Sequence, residues 1–488
     1  MVSRLPLSPT SKSLNDKEMS GRLSEKIVSP TVSHSLHCIK LTPEQEAARS
    51  GIVEFATAER RAAAVATLSG YAGVGKTTVV AEVVKAVAGQ RRLVVAAPTH
   101  KALAVLRAKL AGIDDVEFAT IHSLLGLRLQ ETEDGLHRAS QEGEPSLFEY
   151  AFAVVDECSM ISDAMFAMIL SHRGSCRVLF VGDPAQLPPV DAKPGAQSPT
   201  FGPIVRDRWE LMEVVRQARN NPIIRIATAA RERITIGQPF VMLDIAQQLR
   251  PEDAAFMAMY DGGPEYAAWL TADAIRLGLE TRALAYDNQT VVQINARVQA
   301  MLHPMERSPW IPGNPVMAQS QFRLANHGGE MIPVQNSEIL TVEKVDTGNH
   351  PLDPDRAAWI LTLKTGGNRF GTCYVPLDER ALQRDISEAF NEHRAAKVAA
   401  AAATHSARAG AMRELASAAS ARGWALKNRY APLRLAYAMT VHKSQGSTFD
   451  ATVICWGSFS RCRDFGQRNR LAYVALTRTA KFTALVAD

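Results

Sequence analysis

Between Gly70 and Thr78 the chain reads GYAGVGKTT. Three glycines, a lysine and two hydroxyls at this spacing suit the cradling of a polyphosphate. Gly70, Gly73 and Gly75 let the backbone turn, so that the N–H groups from Gly70 through Val74 to Thr78 approach phosphate oxygens with no Cβ in the way. Lys76 is placed to reach the β- and γ-phosphates, and the Thr77 hydroxyl to take one position on a magnesium ion. A second group of reactive types follows in FAVVDECSM, where Asp156 can hold magnesium through water and Glu157 can polarise an attacking water. A third is VGDPAQLPPV, whose Gln186 is an uncharged side chain suited to sensing a γ-phosphate, with Pro188 and Pro189 stiffening the exit.

These groups need elements to hold them. Apolar ATLS before the glycine-rich turn and VVAEVVKAV after it predict a buried strand and an amphipathic helix. RRLVVAAP and FAVVD predict further strands, so strand and helix alternate around a parallel sheet, with sites at the carboxyl ends of the strands. Pro98, Thr99, His100 and Lys101 fall at one such end and His122, in FATIHSLLG, at another. Taken alone, Thr99, Thr120 and Ser123 read as well as helix caps. Order is expected to begin at Leu41, where Thr42, Pro43 and Gln45 make a capping box; beside the glycine-rich turn, the Gln45 amide could read both donor and acceptor on an adenine edge.

Further along, residues 130–145 turn polar and acidic, an exposed excursion with a hairpin about Asp134-Gly135. A Pro- and Gly-rich stretch over 194–203 reads as a linker into a second strand-helix series, where Arg216 follows a short strand. From 309 to 376 short strands and Gly-rich turns predict a compact β insertion, and the alanine-rich residues 378–428 an extended helical arm rather than a core. The last segment returns to strand and helix: Thr440, His442, Lys443 and Ser444 fall in a loop before Gly446, and Arg478 late in a helix, able to reach across to a phosphoryl group.

At 488 residues the chain can hold two to four domains, and a net charge of +5 permits nucleic acid without requiring it. Six scattered cysteines with no paired spacing read as reduced thiols of a cytosolic protein. With no run of eighteen apolar residues and no apolar leader, neither a membrane span nor secretion is expected, and residues 1–40 read as a mobile tail.

Taken in order, these stretches resemble the motif set of superfamily 1 helicases, and most of all the 5′ to 3′ branch that contains RecD and Dda, over residues 41–488. GDPAQLPP and HKSQG are the most diagnostic of them. The resemblance implies an α/β protein of two RecA-like P-loop lobes, with ATP and Mg²⁺ in the cleft between them and single-stranded or forked DNA across the top. The first lobe would span 41–193 with a pin-like excursion over 128–147, and the second 194–308 and 429–488, interrupted by an SH3-like β insertion over 309–377 and the arm over 378–428. Position by position it implies that Gln45 recognises adenine, that Lys76, Thr77 and Asp156 hold nucleotide and metal, that Glu157 activates water and Gln186 couples the γ-phosphate to DNA, and that Arg216 and Arg478 are arginine fingers. Pro98, Thr99, His100, Lys101, His122, Thr440, His442, Lys443 and Ser444 would hold or flank the DNA backbone. It implies a monomeric motor, open to replication or recombination partners. The excursion over 130–145 has no aromatic wedge, so strand separation follows less directly than translocation. Two other readings use the same residues: a P-loop phosphotransferase on a small molecule, which HKSQG and YVALTR disfavour, and an ATP-gated nucleic-acid clamp within a larger complex.

Overall fold

The computed structural model of the chain describes residues 41–58, 64–131, 137–141, 143–189, 196–213, 221–306, 308–326, 328–403 and 406–488. Helix α1 (Pro43–Thr57) starts at the Thr42 capping box, with the Gln45 and Thr42 bonds both formed. Strand β1 (Val65–Gly70), helix α2 (Lys76–Val87), β2 (Leu93–Ala97), α3 (His100–Lys109) and β3 (Val116–Thr120) follow. A two-stranded hairpin of β4 (Leu127–Glu131) and β5 (His137–Gln141) then leaves the sheet, pairing Glu131 with His137. The excursion is therefore a hairpin as its composition suggested, although the expected turn at Asp134-Gly135 lies outside the described residues. Strand β6 (Phe152–Val155), helix α4 (Asp163–His172), β7 (Arg177–Gly182) and β8 (Asp207–Leu211) complete the first lobe.

Its sheet runs β3-β2-β6-β7-β1-β8, parallel at every pairing. The central strands read as unbroken apolar runs because both faces are covered. On one face α1, α2 and α3 supply Ile52, Phe55, Val80, Val83 and Leu106; on the other α4 supplies Phe166 and Ile169. Pairing of β8 with β1 carries this sheet to Leu211, past the expected boundary at 193. The Pro- and Gly-rich segment before β8 is not a free linker: Ser198 Oγ donates to the Ile161 carbonyl at 2.8 Å, and Thr67 Oγ1 donates to the Thr200 carbonyl at 2.7 Å. An edge strand as short and polar as DRWEL carries no long apolar run by which to recognise it.

Helix α5 (Pro222–Ile236) opens the second lobe, followed by β9 (Met257–Asp261), α6 (Gly263–Arg276), β10 (Thr281–Ala285) and α7 (Asn288–Leu302). The chain then departs through β11 (Pro315–Ala318), β12 (Phe322–Ala325), β13 (Met331–Val334), β14 (Ile339–His350), β15 (Asp353–Lys364) and β16 (Phe370–Pro376), and through α8 (Glu379–Ala402) and α9 (Ser406–Arg429). After β17 (Leu433–Leu435) it returns by β18 (Ala438–Thr440), β19 (Phe449–Cys455), α10 (Phe465–Leu476) and β20 (Thr479–Ala487). The second parallel sheet runs β18-β10-β19-β20-β9. The inserted sheet is antiparallel and runs β13-β12-β16-β15-β14-β11-β17. Because β17 pairs with β11, the insertion extends past the expected return at 429.

Helices α8 and α9 lie antiparallel against each other, so the expected helical arm takes the form of two paired helices. Nor is it without a core: Leu382, Ile386 and Phe390 pack at its base with Tyr430 and Ala358. Among the described residues no helix is long and apolar enough to cross a membrane, and the five described cysteines are free and buried.

Candidate nucleotide and nucleic-acid cleft

The carboxyl ends of adjacent strands bring the separate motifs together. Glycine-rich turn residues Gly73 and Gly75 adopt left-handed backbone, with φ of 79° and 83°, and α2 begins directly at Lys76. Lys76 Nζ donates to the carbonyls of Gly70 and Tyr71 at 2.8 and 2.9 Å, which folds its ammonium over the turn. Val74 is wholly buried, so only its backbone serves the turn, while Thr77 and Thr78 on the first turn of α2 stay partly open. Gln45 is also buried, and its amide is committed: Nε2 donates to the Val74 carbonyl at 2.8 Å and Oε1 accepts from the Thr42 N–H at 2.9 Å. In this arrangement it braces the turn from below instead of offering a free edge.

Asp156 follows β6, next to β7 in the sheet. Burial pushes its carboxyl well above the ordinary carboxylate range, the neighbouring Glu157 pushes it further, and Lys76 partly opposes both. Glu157 holds left-handed backbone, φ 53° and ψ 39°, an uncommon state for a non-glycine residue and one that collects at functional sites. Ser159, two residues on, donates to Gln186 Oε1 at 3.3 Å.

The loop after β7 belongs to both lobes. Gln186 is tied by its side chain to Ser159, while its backbone carbonyl accepts from Arg470 Nη1 at 2.8 Å; the Pro184 carbonyl accepts from the same nitrogen. Ala185 and Leu187 on either side of it are buried in the hydrophobic core of the second lobe. Asp183, fully buried at the end of β7, accepts from Arg231 Nε of α5 at 3.2 Å, from the Ala185 N–H at 2.9 Å and from the hydroxyl of Tyr473. That hydroxyl in turn accepts from the Ala72 N–H at 2.9 Å, within the glycine-rich turn itself. The Arg231 guanidinium lies 3.7 Å from the Tyr71 ring centroid. Asp183, Arg231, Arg470 and Tyr473 were not singled out from the sequence. The available signal was the unbroken run LAYVAL over residues 471–476, which suits a helix enclosed on all sides and not an amphipathic surface one; in the structure every residue from Asn469 to Leu476 is buried.

Arg478 follows α10 and is 8% exposed. Its guanidinium donates to the carbonyls of Val474 and Ser447 and to the Thr477 hydroxyl. Burial lowers its pKa, and the Glu157 carboxylate of the other lobe is the strongest charge holding it up. Arg216 lies outside the described residues.

The residues expected along DNA divide. Thr99 and Thr120 cap helices, accepting from the N–H groups of Ala102 and Ser123 at 3.2 Å each. His100 and His122 lie near each other, the Pro98 backbone bonds to His122, and burial lowers the pKa of the His122 ring, whereas His100 is exposed. Thr440 Oγ1 accepts from the Lys443 N–H at 3.4 Å, Ser444 is fully buried with its hydroxyl on the Val441 carbonyl, and burial also lowers the His442 pKa. Lys443 Nζ donates to Gln319 Oε1 at 2.7 Å. Lys101 does not face a groove of the first lobe: its ammonium lies 5.6 Å from the Phe449 ring centroid of the second lobe, makes no hydrogen bond, and is lowered to about 8 by burial and then by Arg282. Thr99, Ser444 and Lys101 thus have structural occupations that spacing alone did not reveal.

Residues 40–242 match the AAA domain family and residues 435–486 the UvrD-like helicase C-terminal domain. The chain is 27% identical over 287 residues to the ATP-dependent DNA helicase dda of Enterobacteria phage T4, covering 56% of this chain and 60% of that one. It is 31% identical over 303 residues to the RecBCD enzyme subunit RecD of Mycobacterium tuberculosis, covering 53% of this chain and 52% of that one. The chain therefore spans between half and two thirds of the length of these relatives. A Pif1 helicase structure, solved in a study of unwinding at forked double-stranded DNA, superposes with a TM-score of 0.50 at 17% identity over 92% of both chains, which speaks for the two-lobe fold. Each lobe thus carries a matched family domain, and over about half of its length the chain is similar to the helicase dda and to RecD.

Proposed function

We propose that the protein is an ATP-dependent DNA helicase or translocase, moving 5′ to 3′ along a single strand and unwinding forked duplex. The observation that carries this is the loop after β7: its Gln186 is bonded to the Asp156–Ser159 segment on one side and to Arg470 on the other, while Asp183 links the glycine-rich turn to α10 through Tyr473. A change at the phosphate cradle is thereby a change in how the lobes meet, which is what a motor requires.

In this reading Gly70, Gly73, Val74, Gly75, Lys76, Thr77 and Thr78 bind the phosphates of ATP. The donor set suits Mg²⁺, which prefers oxygen ligands and retains water: Thr77 offers a hydroxyl, and Asp156 a carboxyl whose pKa is raised by desolvation and by the neighbouring Glu157. Bound there, the ion supplies charge neutralisation at the phosphates. Glu157 takes a proton from the attacking water, Gln186 reports the γ-phosphate to the lobe interface, and Arg478 stabilises charge developing on the transferring phosphoryl group, with Arg216 in the same role. Gln45 would have to exchange its bond to the Val74 carbonyl to read adenine. His100, His122, His442 and Lys443 line the DNA path, and the insertion takes the part of an SH3-like domain. The name of the phage relative, an ATP-dependent DNA helicase, supports the activity, and its branch supports the polarity.

The test is ATP hydrolysis with and without single-stranded DNA, in wild type and in Lys76→Ala. Strong stimulation that the variant loses is expected, after which forks with a 5′ or a 3′ tail report polarity. Hydrolysis indifferent to DNA refutes the proposal.

A further inference from the structure

The helical hairpin has a division of charge that the motor reading leaves unused. At its base, residues 378–392 carry five carboxylates (Asp378, Glu379, Asp385, Glu388, Glu392) against Arg380 and Arg384. Over residues 393–403 and 406–413, the distal parts of the two helices, the sequence has Arg394, Lys397, Arg408 and Arg413 and no acidic residue, the next carboxylate being Glu414. Lys397, Arg408 and Arg413 are exposed and have no carboxylate partner among the described residues, whereas Arg422 nearer the base is paired with Glu392 at 2.6 Å.

The packing explains how such a tip stands. Near the base the two helices meet through Leu382, Ile386, Phe390 and Tyr430. Beyond them the buried seam is Ala396, Ala409 and Ala416, with His393 Nδ1 hydrogen-bonded to the Ala416 carbonyl at 2.7 Å. Alanine costs least to hold helical, so the distal half keeps its form while burying almost no apolar area. Each helix of 24 residues spans about 36 Å at 1.5 Å per residue. Because residue 393 lies opposite 416, Lys397 and Arg413 sit at nearly the same height, and Arg408 about one turn further out. That is a small end on which cations outnumber carboxylates, exposed Glu414 beside Arg413 being the nearest acid.

We propose that the tip of the α8–α9 hairpin is a contact for the phosphate backbone of double-stranded DNA, separate from the single-strand path between the lobes. The charges match a polyanion, and their spacing along a rigid rod suits neighbouring phosphates and not base edges, so the contact is indifferent to sequence. It rests on the DNA-motor reading for its biological sense, but binding of duplex by the tip is testable without it.

The variant Lys397→Gln/Arg408→Gln/Arg413→Gln leaves the hairpin seam intact and should retain wild-type helicity by circular dichroism. Binding to a blunt 20-base-pair duplex and to a single strand is measured by anisotropy across a salt series, with DNA-stimulated ATP hydrolysis measured on the same preparations. Loss of three phosphate contacts should make the duplex slope of log K against log salt shallower by about two to three. Single-strand affinity and stimulated hydrolysis should stay within about twofold of wild type. An unchanged duplex slope overturns the tip contact, and a single-strand slope that falls equally overturns its separateness. Absence of DNA-stimulated hydrolysis in wild type would refute the motor reading and leave the duplex measurement to decide the tip.

Discussion

Tyr473→Phe removes one oxygen from a buried hydrogen-bonded junction of the two lobes. In wild type that hydroxyl donates to Asp183 and accepts from the Ala72 N–H at 2.9 Å, and the residue is 2% exposed. A hydrogen bond to a charged group is worth about 1.5–3 kcal/mol and a neutral one about 1 kcal/mol. Asp183 keeps Arg231 and the Ala185 N–H, which argues for the low end of the first range, whereas the Ala72 N–H is left with no acceptor in this arrangement. The engaged state of the lobes should therefore lose about 2–3 kcal/mol, or roughly 30- to 150-fold in its equilibrium against separated lobes. With single-stranded DNA present, kcat/KM for ATP is expected to fall by about ten- to a hundredfold, the lower figure applying where part of the engaged state survives. The control is Tyr437→Phe, equally buried, whose hydroxyl bonds Gln299 within the second lobe alone at 3.3 Å. It should cost about 1 kcal/mol of stability and leave ATP kinetics alone. Wild-type kinetics in Tyr473→Phe, or an equal loss in both variants, would refute the coupling.

Three further outcomes follow from the same geometry. The Lys101 ammonium has a folded-state pKa near 8 against an ordinary value of 10.5, so between these limits the unfolded chain binds more protons and stability should rise with pH. Lys101→Met should abolish that rise and be more stable than wild type at pH 7 by about 1–3 kcal/mol, read as the difference in urea midpoint between pH 7.5 and 9.5. Arg478→Lys keeps the charge but cannot reproduce bonds to Val474, Ser447 and Thr477 together; the hydrolysis rate should drop by about a thousandfold while nucleotide affinity, measured by fluorescent-analogue titration, moves less than tenfold. In Gly75→Ala a Cβ would lie 2.4 Å from Gln45 Nε2 on backbone with φ 83°, and the combined strain and overpacking should destabilise the first lobe by about 2–4 kcal/mol in thermal or urea unfolding.

The sequence by itself determined the parts governed by local rules. The strand-turn-helix setting of GYAGVGKTT, the capping box at Thr42 and the apolar runs of β1, β2, β6 and β7 each follow from spacing within a few residues, and each is present. Strand ends that carry Thr99, His122, Asp156 and Asp183 share one edge because a parallel sheet puts its carboxyl ends together. What only the tertiary structure decided depends on residues far apart in the chain. β8 and β17 joined sheets that a linear division assigned elsewhere, since short edge strands are defined by their neighbours and not by their own composition. The motif residues Gln45, Thr99, Lys101 and Ser444 could each be read as reaching a ligand, yet their polar groups or their burial are taken up by the fold. Asp183, Arg231, Arg470 and Tyr473 emerged as the lobe junction for the converse reason: a contact across more than two hundred residues, such as that of Tyr473 with Asp183, leaves no local pattern, and only packing can bring its two ends together.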